Sequence, residues 1–141
     1  MAFTSAGIKD PQIGAEGKFS LWFLAALALA EGDVKLSKFT DEKVKDPKLF
    51  ELRQKVNATL VRERKFGAKV CVKMKDGTQY TESREIPKGN PKNPLSLDEI
   101  SKKFMDNATL AISKGKAEDL FQKLYHFEKL DKLETIFSLM K

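Results

Sequence analysis

The sequence predicts an α+β fold: a small antiparallel sheet of about three strands, covered on one face by helices, followed by C-terminal helices. Three observations predict it. "AKVCVKMK" alternates strictly, with Ala68, Val70, Val72 and Met74 on one face and Lys69, Cys71, Lys73 and Lys75 on the other. A period of two with one charged face describes a sheet covered on one side and wet on the other. Asp76-Gly77 then joins this run to "TQYTESREI", and Asp-Gly between extended runs is a strong signal for a two-residue hairpin. Helical periodicity precedes and follows these strands.

Residues 1–14 show no periodicity and are expected to form a flexible leading segment. A helix is expected from about Ala15 to Glu31. Phe19, Trp22, Phe23, Ala26 and Ala30 recur at helical spacing, and Leu21, Leu24 and Leu29 fill the other side. A helix apolar nearly all round is buried on most faces, and Gly32 stands where a glycine ends a helix. Leu36 and Phe39 anchor a short turn. Asp46-Pro47 opens the next helix, with Asp as N-cap and Pro at the first position, and Leu49, Leu52 and Val56 face inward. "VNATLVRER", residues 56–64, reads as the first strand. Beyond the sheet, Ser96 and Glu99 form a capping box ahead of Ile100, Phe104 and Ala108. Gly115 is expected to break the run. The remainder gives one or two amphipathic helices burying Leu120, Leu124, Phe127, Leu130, Leu133 and Phe137. The organisation is therefore 1–14 leading segment, 15–86 α+β domain, 87–95 connection and 96–141 C-terminal helices.

Hydrophobic residues at 41% and charged residues at 33% describe a globular chain rather than a disordered one. The net charge of +6 invites a nucleic-acid reading. The lysines, however, alternate with acids ("DEKVKDPK", "EKLDKLE"), which describes solvated helix faces and argues against a nucleic-acid surface. The one cysteine, Cys71, excludes an intrachain disulfide and fits a reducing, cytoplasmic setting. "MAFTSAGIKD" has no basic segment followed by an apolar core, so no secretory leader is expected. The longest apolar run, Leu21–Ala30, falls short of the roughly 20 residues a membrane span needs.

Few residues suggest chemistry. "PKGNPKNPLS" is no phosphate loop: it has one glycine, and each proline lacks the N–H donor that an anion cradle requires. Pro87, Pro91 and Pro94 fix backbone torsions, and Gly89 permits an unusual one. With Lys88 they read as a rigid connection between sheet and helix. His126 is the sole histidine; set between Tyr125 and Phe127, it reads as structural, buried in a helix core. A metal site needs several ligands, so no metal is expected. Cys71 has no base partner other than His126, so it is no candidate nucleophile. Asp41-Glu42 and Asp98-Glu99 stand at helix starts, where the dipole favours them. The residues thus supply no catalytic set.

Two long stretches change this reading. "AEGKFSLWFLAALALAEGDVKLSKFTDEKVKDPKLFELRQKV" and "VKMKDGTQYTESREIPKGNPKNPLSLDEISKKF" resemble, in order and spacing, the MmgE/PrpD family. The carrying phrases are "KFS", "FTDE" followed by "DP", the strand hairpin and "PKGNPKNPLS". The resemblance spans about residues 14–140. It implies a lid-like domain at 15–86, the C-terminal part of enzymes such as 2-methylcitrate dehydratase, cis-aconitate decarboxylase and iminodisuccinate epimerase. Such enzymes move protons next to a carboxylate without a metal or organic cofactor, between a helical domain and this lid. The resemblance makes Lys18, Ser20 and Phe23 candidate substrate-pocket residues; Phe23 stands where the family has tyrosine, and Gly17 where it has alanine. It makes Pro87, Lys88, Gly89, Pro91 and Pro94 the return crossing from lid to helical domain. The family's catalytic histidines and lysine lie upstream of the matched region, so catalysis by this chain alone is not expected.

The expected partner is a helical-domain subunit, or a second copy, with a small carboxylate at the shared interface and no membrane. A rival reading is a stand-alone, non-catalytic binding or scaffolding domain. An interface is expected at Phe19, Trp22 and Phe23 and at Leu133, Phe137 and Met140, because the helices carry more apolar surface than three strands cover.

Overall fold

A computed structural model describes residues 5–59, 61 and 67–141. Its helices are α1 (Gly14–Gly17), α2 (Leu21–Glu31), α3 (Asp41–Lys45), α4 (Pro47–Gln54), α5 (Leu97–Ala108), α6 (Lys114–Tyr125) and α7 (Glu134–Phe137). Short 3-10 turns occupy Leu36–Lys38 and Phe127–Lys129, and strands β1 (Ala68–Lys73) and β2 (Gln79–Arg84) form an antiparallel hairpin. The architecture is α+β, as the sequence predicts. Among the described residues the sheet has two strands rather than three. Of the expected first strand, 56–64, residues 60 and 62–64 lie outside the described residues, and 56–59 and 61 are not in a strand.

The expected long first helix is interrupted. Lys18–Ser20 leave the helix, and Ser20 adopts an extended backbone, accepting a hydrogen bond at its Oγ from Phe23 N (3.1 Å). An N-cap serine satisfies a donor that a continuing helix would have used otherwise. Gly32 closes α2 with φ +75°. Asp46 caps α4 through Lys48 N and Leu49 N, with Pro47 in the first turn. Ser96 and Glu99 form the reciprocal capping box. Gly115 lies inside α6; the break comes earlier, where Ser113 caps that helix.

Phe23, Leu27, Val44 and Leu49 form the core cluster, with Phe39 packed against it. Within the described part of the leading segment, Ile8 N donates to Phe19 O, Leu21 N to Ala6 O, and Gly14 N to Asp41 Oδ1. Buried Arg53 holds it from α4, with Nη2 2.5 Å from Asp10 Oδ1 and Nη1 donating to Pro11 O. The C-terminal half buries Ala117, Leu120 and Ile136, which stand outside that cluster. Phe104 of α5 meets Phe121 of α6 at 5.4 Å between ring centroids. Leu124, Phe127, Leu133 and Phe137, expected inside, are exposed. The helix ends at Tyr125 and a 3-10 turn follows, so an unbroken helical period does not carry these residues to one face.

The hairpin departs from expectation in two ways. Among the described residues neither face is covered: every residue of β1 and β2 is exposed except the half-buried Val72. The turn is also not a two-residue type I′ turn, which needs positive φ at both central residues; Gly77 has φ +88° while no described non-glycine residue has positive φ. Gly77 N donates to Met74 O and Met74 N to Thr78 O. This is a three-residue loop whose glycine forms a bulge. Among the described residues no helix is long and apolar enough to cross a membrane.

Two stability predictions follow from these contacts. A Cβ at Gly77 meets nothing within 4 Å, so Gly77→Val strains backbone alone. Thermal melting should show a loss of about 1–2 kcal/mol, against a near-neutral Cys71→Ser at an exposed site; equal melting temperatures would remove the bulge assignment. Asp10→Ala leaves the Arg53 guanidinium buried without its carboxylate and should cost about 1–3 kcal/mol. Arg53→Met removes the buried charge and leaves Asp10, whose side chain is 64% exposed, to water, and should cost less; the reverse order in denaturant titration would refute this account of the segment.

Candidate active-site cleft

A cleft of about 510 Å³ opens between the 3-10 turn and α5. Lys18, Lys35, Leu36 and Phe39 line one side, and Glu99, Lys102, Lys103 and Asp106 the other. Glu99, Lys102, Lys103 and Asp106 stand at helical spacing i, i+3, i+4 and i+7, which puts them on one face of α5. Four lysines thus confront two carboxylates.

Phe39 forms the floor. It packs on Phe23, with ring centroids 6.2 Å apart, and Lys18 Nζ lies 5.9 Å from its ring centroid. Of the three expected pocket residues, Lys18 lines the cleft. Phe23 is fully buried, with Phe39 packed against it, and Ser20 is fully buried as the α2 cap. A Cβ at Gly17 would lie 3.0 Å from the Phe23 ring and 3.2 Å from Val44 Cγ2. The Gly17 and Phe23 departures from the family pattern are therefore in contact: the glycine leaves room for the ring.

Ion pairs brace the stretch Glu31–Lys43, which carries Lys35, Leu36 and Phe39 at the cleft rim. Lys38 Nζ pairs closely with Asp33 and lies 2.9 Å from Glu31 Oε2, while Lys43 Nζ is 2.5 Å from Glu31 Oε1. Across the cleft, Lys35 Nζ is 3.2 Å from Asp106 Oδ2. Lys102 and Lys103 have no ion-pair partner among the described residues. The Pro87–Asn93 loop is fastened to the same helix. Gly89, at φ +89°, donates its N–H to Asn93 O, Asn93 Nδ2 donates to Ile86 O, and Lys88 Nζ lies 3.0 Å from Glu99 Oε2. The Ser96 N–H and then Lys88 hold the Glu99 carboxyl below its ordinary range. Pro91 lies within this hydrogen-bonded turn and Pro94 follows it, and Asn90 N donates to Pro87 O.

His126 is not buried in a helix core. It terminates α6 with its side chain 46% exposed, Nδ1 3.9 Å from Glu128 Oε1, and it does not line the cleft. Among the described residues no cluster of three or more His, Cys, Asp or Glu could hold a metal. Sequence reading missed Lys35, Phe39, Lys102, Lys103 and Asp106. The polar stripe of α5 was a usable signal; the pairing of Lys35 with Asp106, 71 residues apart, was not.

Residues 2–125 match the sequence model of the MmgE/PrpD C-terminal domain. The chain belongs to the MmgE/PrpD family. Among curated relatives, cis-aconitate decarboxylase of Mus musculus is 26% identical over 136 residues, covering 93% of this chain and 28% of the relative. Cis-aconitate decarboxylase of Homo sapiens is 25% identical over 131 residues, covering 89% and 27%. The chain thus spans little more than a quarter of the length of these MmgE/PrpD relatives.

The rim network sets a pH window. Glu31 is held below its ordinary pKa, first by Lys43 and then Lys38, and Asp33 first by Lys38; Lys38 is raised, first by Asp33. Depressed carboxylates stabilise above their unfolded pKa and lose that contribution as pH falls through the folded one. A raised lysine stabilises below its unfolded pKa and loses it as pH rises through the folded one. Lys38→Met should therefore lower the melting temperature by a constant amount from about pH 5 to about pH 9, and by less below about pH 3. A difference that grows in acid would contradict the network's role.

Proposed function

We propose that this chain is the C-terminal domain of an MmgE/PrpD-type enzyme acting on a small di- or tricarboxylate by dehydration, decarboxylation or epimerisation. The cleft is the observation that carries this reading. Four lysines line it, and ammonium groups bind carboxylates through charge-assisted hydrogen bonds. Cis-aconitate, named in the mouse and human relatives, carries three carboxylates. The domain binds and orients the acid groups; a helical domain supplies the groups that move the proton. Proton transfer needs an acid or base within hydrogen-bond reach of the reacting carbon, and His126 stands outside the cleft.

A partner domain also accounts for exposed surface. The chain exposes 10754 Å², whereas a compact monomer of its mass exposes about 7,400 Å². Phe19, Leu133, Phe137 and Met140 are each more than half exposed and fit an interface; Trp22 and Phe23, expected there too, are buried in this chain.

The chain alone should not turn over cis-aconitate, 2-methylcitrate or iminodisuccinate. In a polypeptide or complex that also contains the helical domain, one of these should be consumed. Joint replacement of Lys102 and Lys103 by Met should then raise KM about tenfold with a smaller change in kcat. Turnover by the chain alone that survives His126→Ala, or an unchanged KM in the double variant, would count against this assignment. A chain inactive in every such complex would fit the binding-domain rival instead.

A further inference from the structure

We propose that Asp106 is a built-in competitor for the cleft's lysines: it occupies Lys35 while the cleft is empty, and a carboxylate of the ligand takes its place. This rests on the carboxylate reading of the cleft and adds its regulation.

Lys35 Nζ lies 3.3 Å from Asp106 Oδ1 and 3.2 Å from Oδ2, so both oxygens face one ammonium group. Asp33 Oδ2 stands farther off at 3.7 Å. The pair crosses the cleft, from the residue before the 3-10 turn to the last turn of α5. Its side chains are 35% and 33% exposed. Pairs reached by water to this degree are weakly held and exchange with other ions.

The other groups in the cleft decide what can exchange. Lys102 and Lys103 are unpaired among the described residues, and Lys18 faces the Phe39 ring rather than an acid. Glu99 does not compete, because its Oε2 is held by Ser96 N at 2.7 Å and by Lys88. A ligand carboxylate that displaces Asp106 gains one contact and breaks an equivalent one. A monocarboxylate therefore gains little. A ligand with two or three carboxylates engages the unpaired lysines as well, and its surplus contacts drive the exchange. Asp106 thereby sets a threshold in carboxylate number, and displacement unties α5 from the 3-10 turn.

Calorimetric titration at low salt tests this, with citrate as the tricarboxylate probe and acetate as the monocarboxylate, on the full chain or the assembly containing it. Asp106→Asn should tighten citrate binding about two- to fivefold, the range of an exposed ion pair, and acetate bound at Lys35 by a similar factor. Lys35→Met should weaken citrate binding. Both substitutions break the same pair, so a merely loosened cleft would move both affinities in one direction; opposite signs exclude loosening. In the Lys35→Met background, Asp106→Asn should have no effect, because a through-space charge effect would persist there and a competition for Lys35 cannot. Unchanged or weaker binding by Asp106→Asn, or tightening that survives loss of Lys35, overturns the proposal while leaving the carboxylate reading intact. Failure of every variant to bind citrate removes both.

Discussion

The Phe23 ring is the contact on which the cleft depends. It is fully buried among Leu27, Val44 and Leu49, and those residues come from three separate helices. Phe39 rests on it, so the cleft floor is fixed by the core rather than by the loop that carries it. Gly17 completes the arrangement, because a side chain there would press on the ring. Aromatic pairs at this separation add roughly 0.5–1.5 kcal/mol beyond area burial. That is a modest sum, yet it positions the surface over which Lys18 reaches.

The second half of the cleft wall has a different foundation. Helix α5 is seated by its contact with α6, through Phe104 and Phe121, and by its own capping box. Its buried companions Ala117, Leu120 and Ile136 are few and small. The cleft thus lies between two modest hydrophobic clusters, and charged contacts cross it. Such a construction leaves much apolar surface exposed, which is costly for an isolated chain and fits the partner domain proposed above.

Local signals were legible in the sequence. Asp46-Pro47, the Ser96–Glu99 capping box, Gly32 and the Asp-Gly hairpin are all decided within a few residues, by hydrogen bonds and φ values the residue types dictate. Errors arose where two local rules competed. Apolar spacing favoured one helix across Ala15–Glu31, but the Ser20 hydroxyl offered a cap and won. Asp-Gly suggested a type I′ turn, but an added Lys75 in the loop gave a type I turn with Gly77 in the bulge. Burial of Leu133 and Phe137 was expected from period alone, and period says which residues share a face, not whether that face is covered. The same limit applies to the hairpin, whose apolar residues share a face that nothing in the described chain covers.

Of the cleft-lining residues, the family motif pointed to Lys18, and the polar stripe of α5 offered a second signal. Lys35 and Asp106 come from distant segments, and each alone looks like one of many solvated charges. Their meaning comes from being opposite each other across a cleft whose remaining lysines have no ion-pair partner among the described residues. The rim pairs differ in character: Lys38 serves Glu31 and Asp33 together, with Lys43 as a second donor to Glu31, so a ligand would have to break several contacts to dislodge them. Lys35 has one close partner. A frame of shared pairs around a single exchangeable pair keeps the cleft's shape constant near neutral pH while leaving one lysine answerable to the ligand.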